Sequence, residues 1–189
     1  FKTDSFNDFS SKVNKEISSV ENSINKFQSS MKNFDKVVDF KNLSGDVGKG
    51  LAEEFNSIMN KAEELRSKLK SLELTPDVNL SEITKVKDEL RDLENQADQL
   101  KKVSIMLKCS DSISELDKLE SKVKEIGNSA DGIDELRNKF LTLGSGIREG
   151  TADIEGAVKE LNNLTNQADK LGKSFEKSFS ESGGNFGTK

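Results

Sequence analysis

The residues able to do chemistry in this chain are few and poorly matched. Cys109 is the single thiol, and none of the 189 residues is a histidine. A serine or cysteine nucleophile needs a neighbouring base, most often an imidazole. The absence of histidine therefore removes Ser-His-Asp and Cys-His sites, together with His-containing zinc and haem sites. Ser–Lys pairing stays open on composition, but both residues are so common that chance juxtaposition is expected. Glu53-Glu54 and Glu63-Glu64 set carboxylates side by side; their spacing reads better as a solvated helix face on which Glu64 pairs with Lys68. Asp131-Gly-Ile-Asp-Glu135 opens like a calcium loop but lacks the alternating oxygen ligands and the closing bidentate glutamate, so it reads as a helix start capped by Asp131. No GxGxxG or Walker-type phosphate loop occurs. The expectation is a protein that is not an enzyme and uses no cofactor and no metal.

Two other groups of residues stand out. Val103, Ile105, Met106 and Leu107 cover most of a helix circumference instead of one face, and Cys109 follows directly. That run is either a buried helix end or an apolar patch for a partner, and it is the candidate interface. Gly144, Gly146 and Gly150 interrupt an otherwise regular apolar pattern. Glycine lowers helix propensity by about 0.5–1 kcal/mol relative to alanine, so these three are the candidate hinge.

The elements that must position these residues follow from apolar spacing. Leu119, Ile126, Ile133, Phe140, Ile147, Ile154, Leu161, Ala168 and Phe175 recur at every seventh position. A second ladder runs beside them through Leu136, Leu143, Gly150, Ala157, Leu164 and Leu171. Two such ladders form the a/d seam of a helix packed lengthwise on others. Phe6, Phe9, Val13, Ile17, Val20, Ile24, Phe27, Met31, Phe34 and Val38 give the first helix the same character, after an early eleven-residue stutter. Breaks are expected at Asn42–Gly50, around Pro76 before a helix capped by Ser81, at Cys109–Ser112 and at Gly127–Gly132. The spacing predicts helices over 3–40, 47–73, 81–108, 112–127 and 132–179. Together these make an all-α, elongated antiparallel bundle of three to four long helices with coiled-coil-like heptad packing. Residues 1–179 form one domain in this reading, and 180–189 a flexible tail.

Composition narrows the partners. Net charge is −5, with lysine and glutamate mixed along every segment and no basic stripe, which argues against nucleic acid. No apolar run approaches the length of a transmembrane helix. One cysteine forbids an intrachain disulfide, and three Asn-x-Ser/Thr sequons are about what chance supplies in so Asn- and Ser-rich a chain. The chain starts at Phe1, read as a processed or truncated end, which favours an extracellular or surface-exposed setting over a cytoplasmic one. The functional expectation is a helical-bundle scaffold, structural or protein-binding module whose partner is another protein or a second copy. The alternatives are an exchangeable amphipathic-helix lipid binder and a self-assembling, pore-forming bundle.

Overall fold

The computed structural model describes residues 2–73, 80–125 and 130–183, with side chains from 8 to 180 within them. Among these residues there are five α-helices and no strand: α1 (Lys2–Val38), α2 (Gly45–Glu73), α3 (Leu80–Glu125), α4 (Asp131–Glu149) and α5 (Ile154–Gly183), with one 3-10 turn at Phe40–Asn42. The all-helical expectation holds, but the helices number five, not three to four. Contacts divide the chain into two compact units: Phe1–Lys36 with Lys49–Lys101, and Val37–Gly48 with Lys102–Lys189. α3 contributes its first part to one unit and the rest to the other.

In the first unit the apolar stripes of α1, α2 and α3 meet in one seam. Val13, Ile17, Val20, Ile24, Phe27, Met31 and Phe34 of α1 are buried with Leu51, Ile58, Ala62, Leu65 and Leu69 of α2 and Ile83, Val86, Leu90, Leu93, Ala97 and Leu100 of α3. Serine and asparagine are mediocre helix formers, so it is this shared burial that holds α1. Cross-helix polar contacts fix the directions. Gln28 donates to Glu63 at 2.9 Å and Lys68 to Glu89 at 2.6 Å, while Lys87 bonds Glu16. With Phe27 beside Glu94 and Asp98, the Lys87–Glu16 contact sets α1 and α3 parallel, and α2, meeting Gln28 at Glu63 and Glu89 at Lys68, runs antiparallel to both.

The second unit repeats the arrangement with α3, α4 and α5. Ile105, Cys109, Leu116 and Val123 face Ile133, Leu136, Phe140, Leu143 and Ile147 of α4, and Ala157, Leu161 and Leu164 of α5 complete the core. The connection after α1 belongs here as well. Asp39 takes a left-handed φ of 56° to end α1, and Asn42 donates to its carboxylate at 2.6 Å. Phe40 and Leu43 are buried, and the Ser44 hydroxyl donates to Asp111 of α3 at 2.5 Å. Gly48 is required by close approach: a Cβ there would stand 2.7 Å from the Leu43 backbone.

Four expected boundaries need correction. α3 runs through Cys109–Ser112 without a bend, because Ser112 is buried and Asp111 is held by Ser44, so these polar residues serve packing instead of a turn. The expected helix 132–179 is two helices. Gly150, at φ 71°, donates to Ile147 at 3.3 Å, and Thr151 donates to Gly146 at 2.9 Å, which together form a Schellman stop. Asp153 then accepts the Gly156 N–H at 2.7 Å and caps α5. A connection of four residues leaves α4 and α5 as an antiparallel hairpin, with Gly132 opposite Leu171. Finally, Ala130 holds the cap position of α4 and makes no side-chain cap, while Asp131 lies in the first turn, where its charge suits the helix dipole. Ser81 likewise falls inside α3. Of the expected tail, 180–183 is helical; Pro76 and 184–189 lie outside the described residues.

Phe27→Ala is expected to destabilise the chain by about 3–5 kcal/mol, and Ser29→Ala on the exposed face by less than about 0.5 kcal/mol, both read by urea unfolding. The three glycines should separate by backbone. Gly144→Ala places its Cβ at ordinary contact, 3.6 Å from Cys109, and is expected to stabilise by up to about 1 kcal/mol. Gly150→Ala, with its positive φ, should cost about 1–2 kcal/mol. Equal melting shifts for the two would contradict the Schellman assignment.

Candidate functional site

Polar chemistry in the second unit concentrates on Arg137. Position 137 lies on the side of α4 that faces α3, one residue beyond the buried Leu136, and the guanidinium offers five N–H donors in a fixed fork. Its Nε donates to Asp117 at 2.8 Å, and its other nitrogens bond Glu120 of α3 and Asp134 of its own helix. Lys124 holds the second oxygen of Glu120. The Arg137 and Glu120 side chains keep only 20% and 17% of their exposure. Hydrogen bonds from Lys124 and Arg137 hold the Glu120 carboxyl below its ordinary value, and Glu120 and Asp117 drive the guanidinium still further toward its charged form. Lys124 is raised for the same reason. Every shift here fixes a charge, and none moves a group toward neutrality where it could trade protons. The cluster ties α3 to α4.

The other predicted site residues are placed as follows. Ile105 is fully buried and Cys109 is 2% exposed, Val103 is 40% exposed, and Met106 and Leu107 are half-buried. The run is therefore split, most of it packing inside the second unit and only Val103 standing clear. Burial pushes the Cys109 thiol up to about 12, which makes it a poor nucleophile at neutral pH. Gly144, against Cys109, and Gly146 are helical residues of α4, and Gly150 is its stop. Glu135 pairs with Lys139 at 2.7 Å, which lowers its carboxyl. Glu63 takes Gln28 and, at 3.9 Å, Arg66. Among the described residues no three His, Cys, Asp or Glu side chains come together as metal ligands.

One signal was passed over in the sequence. Glu64-Leu65-Arg66-x-Lys68 returns as Glu135-Leu136-Arg137-x-Lys139, and Asn95-Gln96-Ala97-Asp98-x-Leu100-x-Lys102 returns as Asn166-Gln167-Ala168-Asp169-x-Leu171-x-Lys173. Both pairs share one offset of 71 residues without a gap, and Leu72, Ile83, Leu90 and Leu93 fall on Leu143, Ile154, Leu161 and Leu164. The second and third helices of the first unit thus repeat in the second, α2 with α4 and the first part of α3 with α5. Heptad spacing hides such a repeat, because every helix already resembles its neighbours at a period of seven.

The copies differ in the groove between their second and third helices. In the first unit Lys68 crosses it to Glu89. In the second, the counterpart Lys139 turns back to Glu135 on its own helix. An open cleft of about 830 Å³ lies there along α4, the α4–α5 connection and Glu160 of α5. Leu141, Leu143, Gly146 and Ala152 line it, with Glu149 and Glu160 beside them. Leu141 is 48% exposed.

No protein-family model, curated protein or solved structure matches this chain.

The Arg137 cluster makes a pH prediction. Glu120 is depressed below 4.5 in the folded protein, so the unfolded chain binds its proton first. The resulting stabilisation is complete above the unfolded value and fades as pH falls through and below it. Unfolding in urea between about pH 6 and pH 3 should show stability falling toward acid, with a shallower fall in Glu120→Gln. An unchanged slope would mean that the cluster contributes nothing to folding.

Proposed function

We propose that the chain is a non-enzymatic helical-bundle protein, a scaffold or protein-binding module whose helices pack through heptad seams in coiled-coil fashion. The observation that carries this reading is the use made of polar side chains. Arg137 with Asp117 and Glu120, Lys68 with Glu89, and Lys87 with Glu16 each join one helix to the next. Charge placed in this way holds helices in register and leaves their outer faces for contact. The narrow stripes, buried among themselves, support this reading over lipid exchange, which needs a broad apolar face on each helix.

A photo-reactive residue set in turn at the exposed positions Ser18, Val103 and Lys170 of the intact chain tests the reading in extract of the source organism. It is expected to trap the same protein repeatedly. Anionic vesicles are expected to leave helix content and Tm unchanged. Flotation with vesicles, together with cross-links only to lipid, would replace the scaffold with a lipid-binding bundle.

A further inference from the structure

Where two copies of one helix pair share a core pattern, the positions at which their surfaces part are free of the demands of folding. At the groove between the second and third helices two such differences fall together. The exposed Lys70 of the first unit is replaced by Leu141. The cross-groove pair Lys68–Glu89 has for counterparts Lys139 and Glu160, and Lys139 is taken up by Glu135. In the second unit an open cleft of about 830 Å³ lies at this place. Its lining carries Glu135, Glu149 and Glu160 against the one lysine, so Glu149 and Glu160 have no bonded cation among the described residues. An exposed leucine on the wall of an acidic groove is complementary to one chemistry: an apolar side chain flanked by positive charge.

We propose that the groove between α4 and α5 is a docking site for a cationic amphipathic segment of a partner protein, its apolar side chain against Leu141 and its lysines or arginines beside Glu149 and Glu160. This rests on the protein-binding reading and names the class of partner. An anionic membrane surface is repelled by the same two carboxylates. The short α4–α5 connection and its two caps hold the walls in place, so the groove is formed before the partner arrives.

The test uses the full chain and two synthetic helical peptides with the same leucine stripe, one flanked by lysines and one by glutamates. Binding is followed by fluorescence anisotropy and by the amide signals of Leu141, Thr142 and Thr151. The lysine peptide is expected to move those signals, to weaken as salt rises, and to bind at least about tenfold more tightly than its glutamate twin. Leu141→Lys installs the residue of the first unit on an exposed position. That variant and the double variant Glu149→Lys, Glu160→Lys should each lower affinity about tenfold at unchanged Tm. Equal binding of both peptides, binding of neither, or affinity indifferent to these substitutions would overturn the proposal. So would a dimer in light scattering that Leu141→Lys dissolves, since the occupant is then a second copy. If the groove fails while Ser18, Val103 or Lys170 still trap a protein, the scaffold reading survives and only this site is lost.

Discussion

A helix with one narrow apolar stripe cannot bury that stripe alone, and this constraint governs the whole chain. With hydrophobic residues at 32% and charged residues at 33%, each helix carries little beyond its a/d positions. Such a stripe closes against one partner in a two-stranded coiled coil; the alternative sets three helices around one seam. Both units are of that kind. α3 is drawn on by both, its Ile83–Leu100 stripe serving one seam and its Ile105–Val123 stripe the other. The stretch from Ser104 to Ser112 is buried on more than one side because the Phe40–Ser44 connection, held at Asp111, adds a further layer within the second unit.

Charge then decides what the seams leave open, namely which helix faces which. The two arginines at equivalent positions show how local this choice is. Arg137 meets Asp117 and Glu120 across the helix pair. Among the described residues Arg66 reaches only Glu63 on its own helix, at 3.9 Å, and its buried Nε has no hydrogen-bond partner. In the first unit Gln28 donates to that same Glu63, and the pairs Lys68–Glu89 and Lys87–Glu16 join the remaining helix faces. A neutral donor on a carboxylate is weaker than a guanidinium fork, so Arg137 ties its two helices more firmly than Gln28 ties α1 to α2.

Apolar periodicity made the helices, their seam residues and the all-α class legible. Ile24, Phe27, Met31 and Phe34 are buried as their spacing requires. Helix ends were harder to read, and for a physical reason. The seven-residue ladder from Leu119 to Phe175 runs on through a Schellman stop and a capped restart at Gly150–Asp153, because those turn residues happen to preserve the register of the next stripe. The signals that mattered there were chemical: a glycine free to take positive φ, then Asp153 three residues ahead of Gly156. The opposite error arose at Cys109–Ser112, where a polar run that looks like a turn is consumed by tertiary contacts invisible in one dimension. Among candidate site residues, the density of Val103–Cys109 marked burial more than an interface. The groove at Leu141 could not be found from periodicity, since position 141 lies off both ladders.

Repetition supplies the information that periodicity cannot. Within one copy, an exposed leucine is unremarked, because apolar atoms make up much of any protein surface. Beside a second copy of the same pattern, it becomes a substitution with a direction: lysine at 70, leucine at 141, on equivalent exposed turns of equivalent helices. The shared core shows that folding tolerates either residue, as Leu65 with Leu136 and Leu90 with Leu161 keep their places in both units. Cross-groove pairing is likewise dispensable to the fold, since Lys68–Glu89 is present in one copy and its counterpart is redirected in the other. The substitution of Lys70 by Leu141 and the redirected Lys139 therefore lie outside the work of holding helices together, and both fall on one groove whose charge is set by α4 and α5.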